Sequence, residues 1–193
     1  MTTPAGITIL GVDPGSRFTG YGVIRMTPQG QEMVEWGVLQ LDAKESHTTR
    51  LKQIYDGLFS LIQRTRPDEV AIEMPVYGKN PQSMLKLGRA QAAAMLAALN
   101  AGLPVTEYTP KEVKRSVTGN GNAAKEQVHY MVCAMLDLQE QREDVSLDTS
   151  DAIAVALCHG HRAGKADKQT SYKDWASYVR QHPDRVSGTG SKK

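Results

Sequence analysis

The chain has 193 residues, 40% of them hydrophobic and 23% charged, with a net charge of +2, which suits one soluble globular domain or one domain with a tail. Its longest aliphatic stretches, around 90–99 and 152–158, are too short to cross a bilayer, which takes about 20 apolar residues, and residues 1–6 carry no secretory signal. The two cysteines, Cys133 and Cys158, lack framework spacing and indicate reduced thiols, so we expect a cytoplasmic protein without disulfides.

The chain begins with the pattern of three strands. A nearly continuous apolar run over 7–12 ends at an Asp-Pro-Gly turn at 13–15, which is typical of a central strand covered on both faces. The segments 19–26 and 33–41 follow, separated by a Pro-Gln-Gly turn. These three segments predict an antiparallel meander.

Two helices and a short strand come next. Apolar residues at helical period over 46–66 predict a helix that Pro67 ends, and 70–72 predict a short strand that leads to Glu73. The Ala-rich segment 81–100 predicts a second helix. Its small residues would allow another element to approach closely, either from the same chain or from a second copy.

The remaining pattern predicts one strand, three helices and a tail. The strand is predicted at 103–108, and the helices at 110–117, 123–137 and 147–158. Asn122 is the predicted N-cap of the middle helix, and the last helix is predicted to stop near Gly160. Because the composition then turns to Lys, Asp, Ser, Gly and Gln, we predict one domain over 1–163 and a basic, flexible tail over 164–193.

This order of elements predicts an α/β fold. Parallel strands would extend the antiparallel meander into a mixed five-stranded sheet, with helices on both faces. In such sheets, sites gather where strand ends and switch points meet. Residues that carry chemistry are therefore expected at the carboxyl ends of the strands.

The net charge hides a segregation of charge along the chain. Residues 79–125 carry a formal charge of +5, residues 126–161 carry −6, and residues 162–193 carry +5. Such an arrangement can place basic side chains around a phosphate polymer, and solvated helix faces would give the same pattern. Both interpretations stay open at the level of charge.

Four acidic residues are the main candidates for chemistry: Asp13, Glu73, Asp148 and Asp151. The first two directly follow strands, so parallel neighbouring strands would bring their carboxylates side by side, and the other two share one helix face. Such a cluster repels itself when empty, and hard divalent ions such as Mg²⁺ relieve that repulsion through oxygen ligands. Each acid also has a structural explanation of its own, such as a turn for Asp13 or the helix dipole for Asp148.

Two lysines and a histidine are further candidates. Lys114 and Lys125 flank a Gly-rich loop at 118–122, where backbone amides and lysines can bind a phosphate, although solvated lysines would fit the same pattern. His159 lies eight residues beyond Asp151. We favour a helix-end histidine, stabilised by the helix dipole, over a metal ligand.

The order of these motifs resembles the RuvC family of Holliday-junction resolvases, bacterial endonucleases with an RNase H-like fold. The matching segments lie at 11–24, 71–73 with 79–80, 85–91, 113–114, 123–128 and 148–159. They cover about residues 7–161 in the family's order, which is far more specific than a single motif.

The resemblance implies a homodimer that binds four-way DNA junctions and nicks two strands symmetrically, in homologous recombination and DNA repair, beside a branch-migration motor. It implies Mg²⁺ or Mn²⁺, two ions per active site, held by the four acids. It also implies DNA contacts by basic residues of the matching segments, namely Lys79, Arg89, Lys114 and Lys125.

The resemblance leaves one aromatic position to be assigned. The family's junction-probing aromatic usually follows the glutamate by about three residues, where this chain has Val76, and Tyr77 is the candidate for the role. An aromatic side chain there could stack on an exposed base or pack at the surface.

Two other function classes compete with a nuclease. A nucleic-acid-binding module with the same fold and no catalysis is disfavoured by the four intact acids, and a metal-supplemented cleavage assay decides the point. A phosphate-binding ATPase or kinase lobe is disfavoured because the chain is too short for the second lobe that such folds require.

Overall fold

The computed structural model describes residues 6–75, 80–138, 141 and 143–166, with side chains through Arg162. Within it lie five strands and five helices: β1 Ile7–Asp13, β2 Phe18–Thr27, β3 Gly30–Gln40, α1 His47–Thr65, β4 Glu69–Glu73, α2 Pro81–Asn100, β5 Val105–Tyr108, α3 Pro110–Thr118, α4 Lys125–Met135 and α5 Leu147–Ala166. Among these helices, none combines the length and the apolar character that a membrane crossing requires.

The five strands form one mixed sheet in the order β3-β2-β1-β4-β5. β1 pairs antiparallel with β2, which pairs antiparallel with β3, whereas β4 is parallel to both β1 and β5. The predicted meander extended by parallel strands is therefore confirmed. The central strand β1 is the point where the two parts of the sheet meet.

Side chains of β1 alternate between two hydrophobic cores. Ile9 packs in one core with buried residues of α3, α4 and α5, and Leu10 and Val12 pack in the other with α1 and α2. All three side chains are at most 1% exposed. The sheet is thus covered on both faces, as the apolar run over 7–12 predicts.

Glycines in the first two strands allow α5 to lie directly on the sheet. A Cβ atom at Gly11 would lie 2.2 Å from the carbonyl oxygen of Ala152, and one at Gly20 would lie 2.2 Å from that of Asp148. Glycine inside a strand marks such a close approach of another backbone. The contact at Gly20 fixes the first turn of α5 at the end of β1, because Gly20 pairs with Asp13.

Two predicted helix boundaries are wrong. Asn122 does not cap α4, because the helix begins three residues later and Ala124 occupies the N-cap position. Asn122 belongs to the preceding loop, where its N–H donates to Asn120 Oδ1 at 3.0 Å. At the N-cap, the Gln127 side chain accepts the N–H of Ala124 at 3.0 Å. Gly160 does not end α5, which continues to Ala166, because this glycine provides room for the side chain of Met26.

The chain divides into two units, Met1–Arg162 and Ala163–Lys193. The first contains the sheet and both cores. Of the second, only residues 163–166 are described, as the end of α5. The predicted domain over 1–163 and tail over 164–193 stay predictions.

Candidate active site

The carboxyl ends of β1 and β4 bring Asp13 and Glu73 to the same edge of the sheet. Each is the last residue of its strand, and the parallel register pairs Val12 with Ile72, the residue before each acid. The two carboxylates therefore emerge from neighbouring strands, as expected for strands that are parallel neighbours.

The first turn of α5 adds Asp148 and Asp151 to this edge. Ser146 caps the helix, since its Oγ accepts the N–H of Thr149 at 3.2 Å. Asp13, Asp148 and Asp151 each offer an oxygen atom within 4.8 Å of the other two. Glu73 lines the same cleft, which has a volume of about 420 Å³.

Burial and mutual repulsion make two of these acids difficult to ionise. Burial, followed by the charge of Asp151, raises the pKa of Asp13 to about 6. Burial, followed by the charges of Asp13 and Asp151, raises the pKa of Glu73 to about 8. At neutral pH the surroundings therefore do not stabilise the full negative charge that four ionised carboxylates would carry.

Lys125 contacts two of these acids. Its Nζ donates to Asp151 Oδ2 at 2.6 Å and lies 3.9 Å from Asp148 Oδ1. Burial alone would lower the pKa of Lys125, but the hydrogen bond to Asp151 and the charges of the acids outweigh it and raise that pKa. One lysine still leaves the pKa values of Asp13 and Glu73 raised.

Three of the four acids, Asp13, Asp148 and Asp151, lie close enough together to hold one divalent cation. Carboxylate oxygens are the ligands that Mg²⁺ and Mn²⁺ prefer. Burial, followed by mutual repulsion, raises the pKa values of Asp13 and Glu73, and a cation among the acids would offset both effects. These three acids come from one strand end and one helix face, and Glu73 adds a second strand end to the cleft, so no single segment forms the site.

The metal-free protein is expected to lose stability as the pH rises from about 5 to about 8. The folded pKa values of Asp13 and Glu73, about 6 and about 8, exceed those of unfolded chains, about 3.9 and 4.3. At pH values between the unfolded and the folded pKa, the native state therefore binds more protons than the unfolded chain does. The free energy of unfolding then falls as the pH rises. Thermal unfolding in EDTA and in Mg²⁺ checks this, because Mg²⁺ should flatten the dependence.

Glu73→Gln is the matched variant for this experiment. It removes the acid with the higher pKa, so its unfolding temperature in EDTA should depend less on pH than that of the wild type. An equal pH dependence in both proteins would show that Glu73 is not the source of the effect.

Lys114 lies on the same cleft, on the side of α3. Its Nζ donates to the carbonyl oxygen of Ala123 at 2.7 Å, which ties α3 to the start of α4. The intervening loop offers less to a phosphate than its glycines suggest. The N–H groups of Asn120 and Asn122 already donate to Thr118 Oγ1 and Asn120 Oδ1.

His159 is neither a helix-end residue nor a neighbour of the acids, so the prediction of a helix-end histidine is wrong. It lies inside α5, is 7% exposed, and shares a hydrogen bond of 2.8 Å with the hydroxyl of Tyr108 through Nδ1. Its Nε2 pairs with the carboxylate of Glu69, which begins β4 whereas Glu73 ends it. This buried network connects α5 to β4 and β5.

The other predicted DNA contacts fall into two groups. Arg89 lies exposed on α2, outside the lining of the acidic cleft. It belongs to a cationic group with Arg50 and Lys86, because burial and the charges of these three residues lower the pKa of His47. Tyr77 and Lys79 lie outside the described residues.

Two features of the site escape the sequence-based prediction. Gly20 determines where α5 begins relative to Asp13, and the available signal was a glycine inside a predicted strand. Phe18 lines the acidic cleft beside the acids and is 45% exposed. Nothing in a strand pattern distinguishes it from a residue that packs in the core.

The chain is similar to known proteins along most of its length. Residues 9–159 match the family model of crossover junction endodeoxyribonuclease RuvC. The RuvC of Salinibacter ruber is 58% identical over 179 residues, which cover 93% of this chain and 98% of the relative. The structure of Thermus thermophilus RuvC is similar with a TM-score of 0.75 at 31% identity, covering 83% of this chain and 97% of that chain. The same protein in complex with a Holliday junction substrate gives a TM-score of 0.72 at 30% identity, covering 82% of this chain and 96% of that chain.

Proposed function

This chain belongs to the RuvC family of crossover junction endodeoxyribonucleases, and from that premise we propose that it is a metal-dependent endonuclease that resolves four-way junctions. It nicks two strands symmetrically, in homologous recombination and DNA repair. The observation that carries the proposal is the group of four acids in one cleft with Lys114 and Lys125. A ligand cleft of that kind suits a phosphodiester held beside divalent cations.

Asp13, Glu73, Asp148 and Asp151 are the proposed ligands of Mg²⁺ or Mn²⁺, with two ions per active site. When bound, such ions stabilise the attacking and leaving oxygens of a phosphoryl displacement. The protein contributes four carboxylates that its fold holds together before any ion binds. Their repulsion disfavours a phosphate in the cleft unless cations are present.

The lysines have a second role in this proposal. Without a metal, Lys125 donates a hydrogen bond to Asp151. It also lines the cleft, where its ammonium group can contact a phosphate oxygen once the acids bind cations. Lys114 lies on the same cleft and can add a second positive charge. Cations placed at developing negative charge stabilise a transition state.

The wider DNA surface is proposed to include three cations of α1 and α2 that lie near His47. Arg50, Lys86 and Arg89 lie close enough to His47 for their charges to lower its pKa. Such a group attracts phosphates without regard to sequence, so we expect binding to weaken with salt. Lys79 and Tyr77 are proposed to contact the junction as well.

A homodimer would place two such clefts on one junction. Leu85, Leu96 and Leu99 of α2 are each more than 50% exposed, and their spacing puts them on one face of the helix. This face is the proposed contact between two copies. A two-fold dimer matches the symmetry of paired nicks. The branch-migration motor and the cytoplasmic location are proposals that the family membership supports.

The test is cleavage of a defined set of substrates. A mobile four-way junction, a fixed junction, a linear duplex and an RNA–DNA hybrid are each incubated with the protein in Mg²⁺, in Mn²⁺ and in EDTA. Paired nicks in the junctions, dependent on metal, are the expected result. Preferential cleavage of the hybrid or the duplex, or binding without cleavage, would contradict the proposal.

Lys125→Gln is expected to have opposite effects on cleavage and on metal affinity. Loss of a cation beside the phosphate should slow cleavage about 100-fold. Loss of a competitor for Asp151 should lower the Mg²⁺ concentration at half-saturation, since the acids lose their only protein cation within 4 Å among the described residues. Mg²⁺ titrations of the cleavage rate and of metal binding measure both.

Lys52→Gln serves as the control for charge removal. Lys52 lies on the exposed surface of α1, where it pairs with Asp56. This variant should match the wild type in both titrations. If Lys125→Gln cleaves at the wild-type rate, the proposed role of this lysine at the phosphate is wrong.

A further inference from the structure

Phe18 is a large apolar side chain at the rim of the acidic cleft. It is 45% exposed and lines the cleft together with Asp13 and Asp148. Its backbone is fixed because Phe18 begins β2 and pairs with Gln40 of β3. A Cβ atom at Gly15 would lie 2.0 Å from the Phe18 carbonyl oxygen, so the preceding turn packs tightly against this residue. A rigid strand end therefore holds an aromatic ring beside the proposed reaction site.

A second groove, with a volume of about 500 Å³, shares Phe18 as part of its lining. Two exposed cations, Arg17 and Lys44, also line it. Among the described residues of this groove, Asp42 is the carboxylate, and its Oδ1 accepts the backbone N–H of Lys44 at 2.8 Å. Phe18 thus stands between an acidic cleft and a groove with a net positive lining.

We propose that Phe18 stacks on the base of a nucleotide flanking the scissile phosphate, and that the groove beyond it holds the continuing strand with Arg17 and Lys44 at its phosphates. This inference rests on the proposed nuclease function and adds a subsite to it. A strand that has its scissile phosphate among the acids must leave the cleft past its rim. The groove lined by Phe18 and two cations offers the complementary surface.

An aromatic ring beside two cations suits a nucleotide better than a second copy of the chain. A base presents a π face to the ring while its phosphate carries the charge that Arg17 and Lys44 complement. Stacking of this kind tolerates any base, so Phe18 positions the strand rather than selecting a sequence. Its removal should weaken junction binding about 10- to 100-fold.

The test combines Phe18→Ala with a fluorescent base. The nick is first mapped with the wild-type protein, and 2-aminopurine is then placed on each side of it in turn. Binding is measured with Ca²⁺ in place of Mg²⁺. We expect one of the two probes to lose fluorescence with the wild type and with Phe18→Tyr, and to keep it with Phe18→Ala and Phe18→Leu. Val34→Ala removes a side chain of β3 that is 44% exposed and lines neither cavity, so it should behave as the wild type.

An abasic site at the responding position isolates the contact. On the intact junction Phe18→Ala should bind about 10- to 100-fold more weakly than the wild type, and on the abasic junction the two should bind equally. Equal quenching with Phe18→Ala, or an unchanged deficit on the abasic junction, would overturn the proposal. The proposal would also be overturned if Phe18→Ala weakened the dimer and left the quenching unchanged, because Phe18 would then contact a second copy of the chain instead of a base. Failure of the wild type to nick any junction would overturn the proposed function and this subsite with it.

Discussion

Asp13→Asn is expected to slow junction cleavage about 1,000-fold or more while junction binding stays intact. Asp13 ends the central strand and shares the cleft with the other three acids. Loss of its charge weakens the hold on the divalent ions, which supply several kcal/mol of transition-state stabilisation, and each 1.36 kcal/mol corresponds to a tenfold change in rate. The same change removes a charge that repels phosphate, so affinity for the junction should stay equal or rise. Single-turnover cleavage and binding by gel shift measure the two effects.

The matched control is Asp56→Asn on α1. It removes the same kind of group from an exposed position, where the carboxylate pairs with Lys52. Exposed pairs of this kind contribute about 0–1 kcal/mol, so cleavage should match the wild type. Cleavage by Asp13→Asn at a comparable rate would exclude Asp13 from the metal site. Loss of both binding and cleavage would indicate a misfolded protein, which thermal unfolding would reveal.

The strands of the sheet and the positions of Asp13 and Glu73 at strand ends could be predicted, because an apolar run and the residues that end it lie next to each other in the sequence. The apolar run over 7–12 required a strand covered on both faces, and Pro14 and Gly15 had to end it, so Asp13 could be placed at a strand end. A strand that ends at Glu73 gave the second acid in the same way. The order of the elements indicated parallel strands beyond the meander, and the structure shows that β4 is the strand that pairs in parallel with β1.

The contacts between distant segments could not be predicted in this way. His159 carried the pattern of a helix end, because Gly160 suggested a stop, whereas its partners Tyr108 and Glu69 come from two other elements. The pairing of Lys125 with Asp151 also joins two helices, and neither helical pattern contains it. Such contacts depend on how α5 packs on the sheet, which is a property of the whole core.

Gly20→Ala is expected to show that this packing controls catalysis. The new Cβ would lie 2.2 Å from the carbonyl oxygen of Asp148, and the contact is with backbone, so the first turn of α5 must move away from β2. Overpacking of this kind costs about 1–3 kcal/mol of stability. A displacement of about 1 Å at a catalytic group can slow a reaction about 100-fold. Denaturant unfolding and single-turnover cleavage measure these effects.

A displaced helix and a destabilised fold make different predictions for the metal dependence. If α5 moves, Asp148 and Asp151 move away from Asp13, so Gly20→Ala should need more Mg²⁺ for half-maximal cleavage even under conditions in which it is fully folded. If the protein is only less stable, the folded fraction should respond to Mg²⁺ as the wild type does. Ser60→Ala is the control, because it changes an exposed side chain of α1 and should leave both the stability and the metal dependence close to those of the wild type. Wild-type metal dependence and stability in Gly20→Ala would mean that this glycine does not set the position of α5, and the acids of the helix would need another anchor.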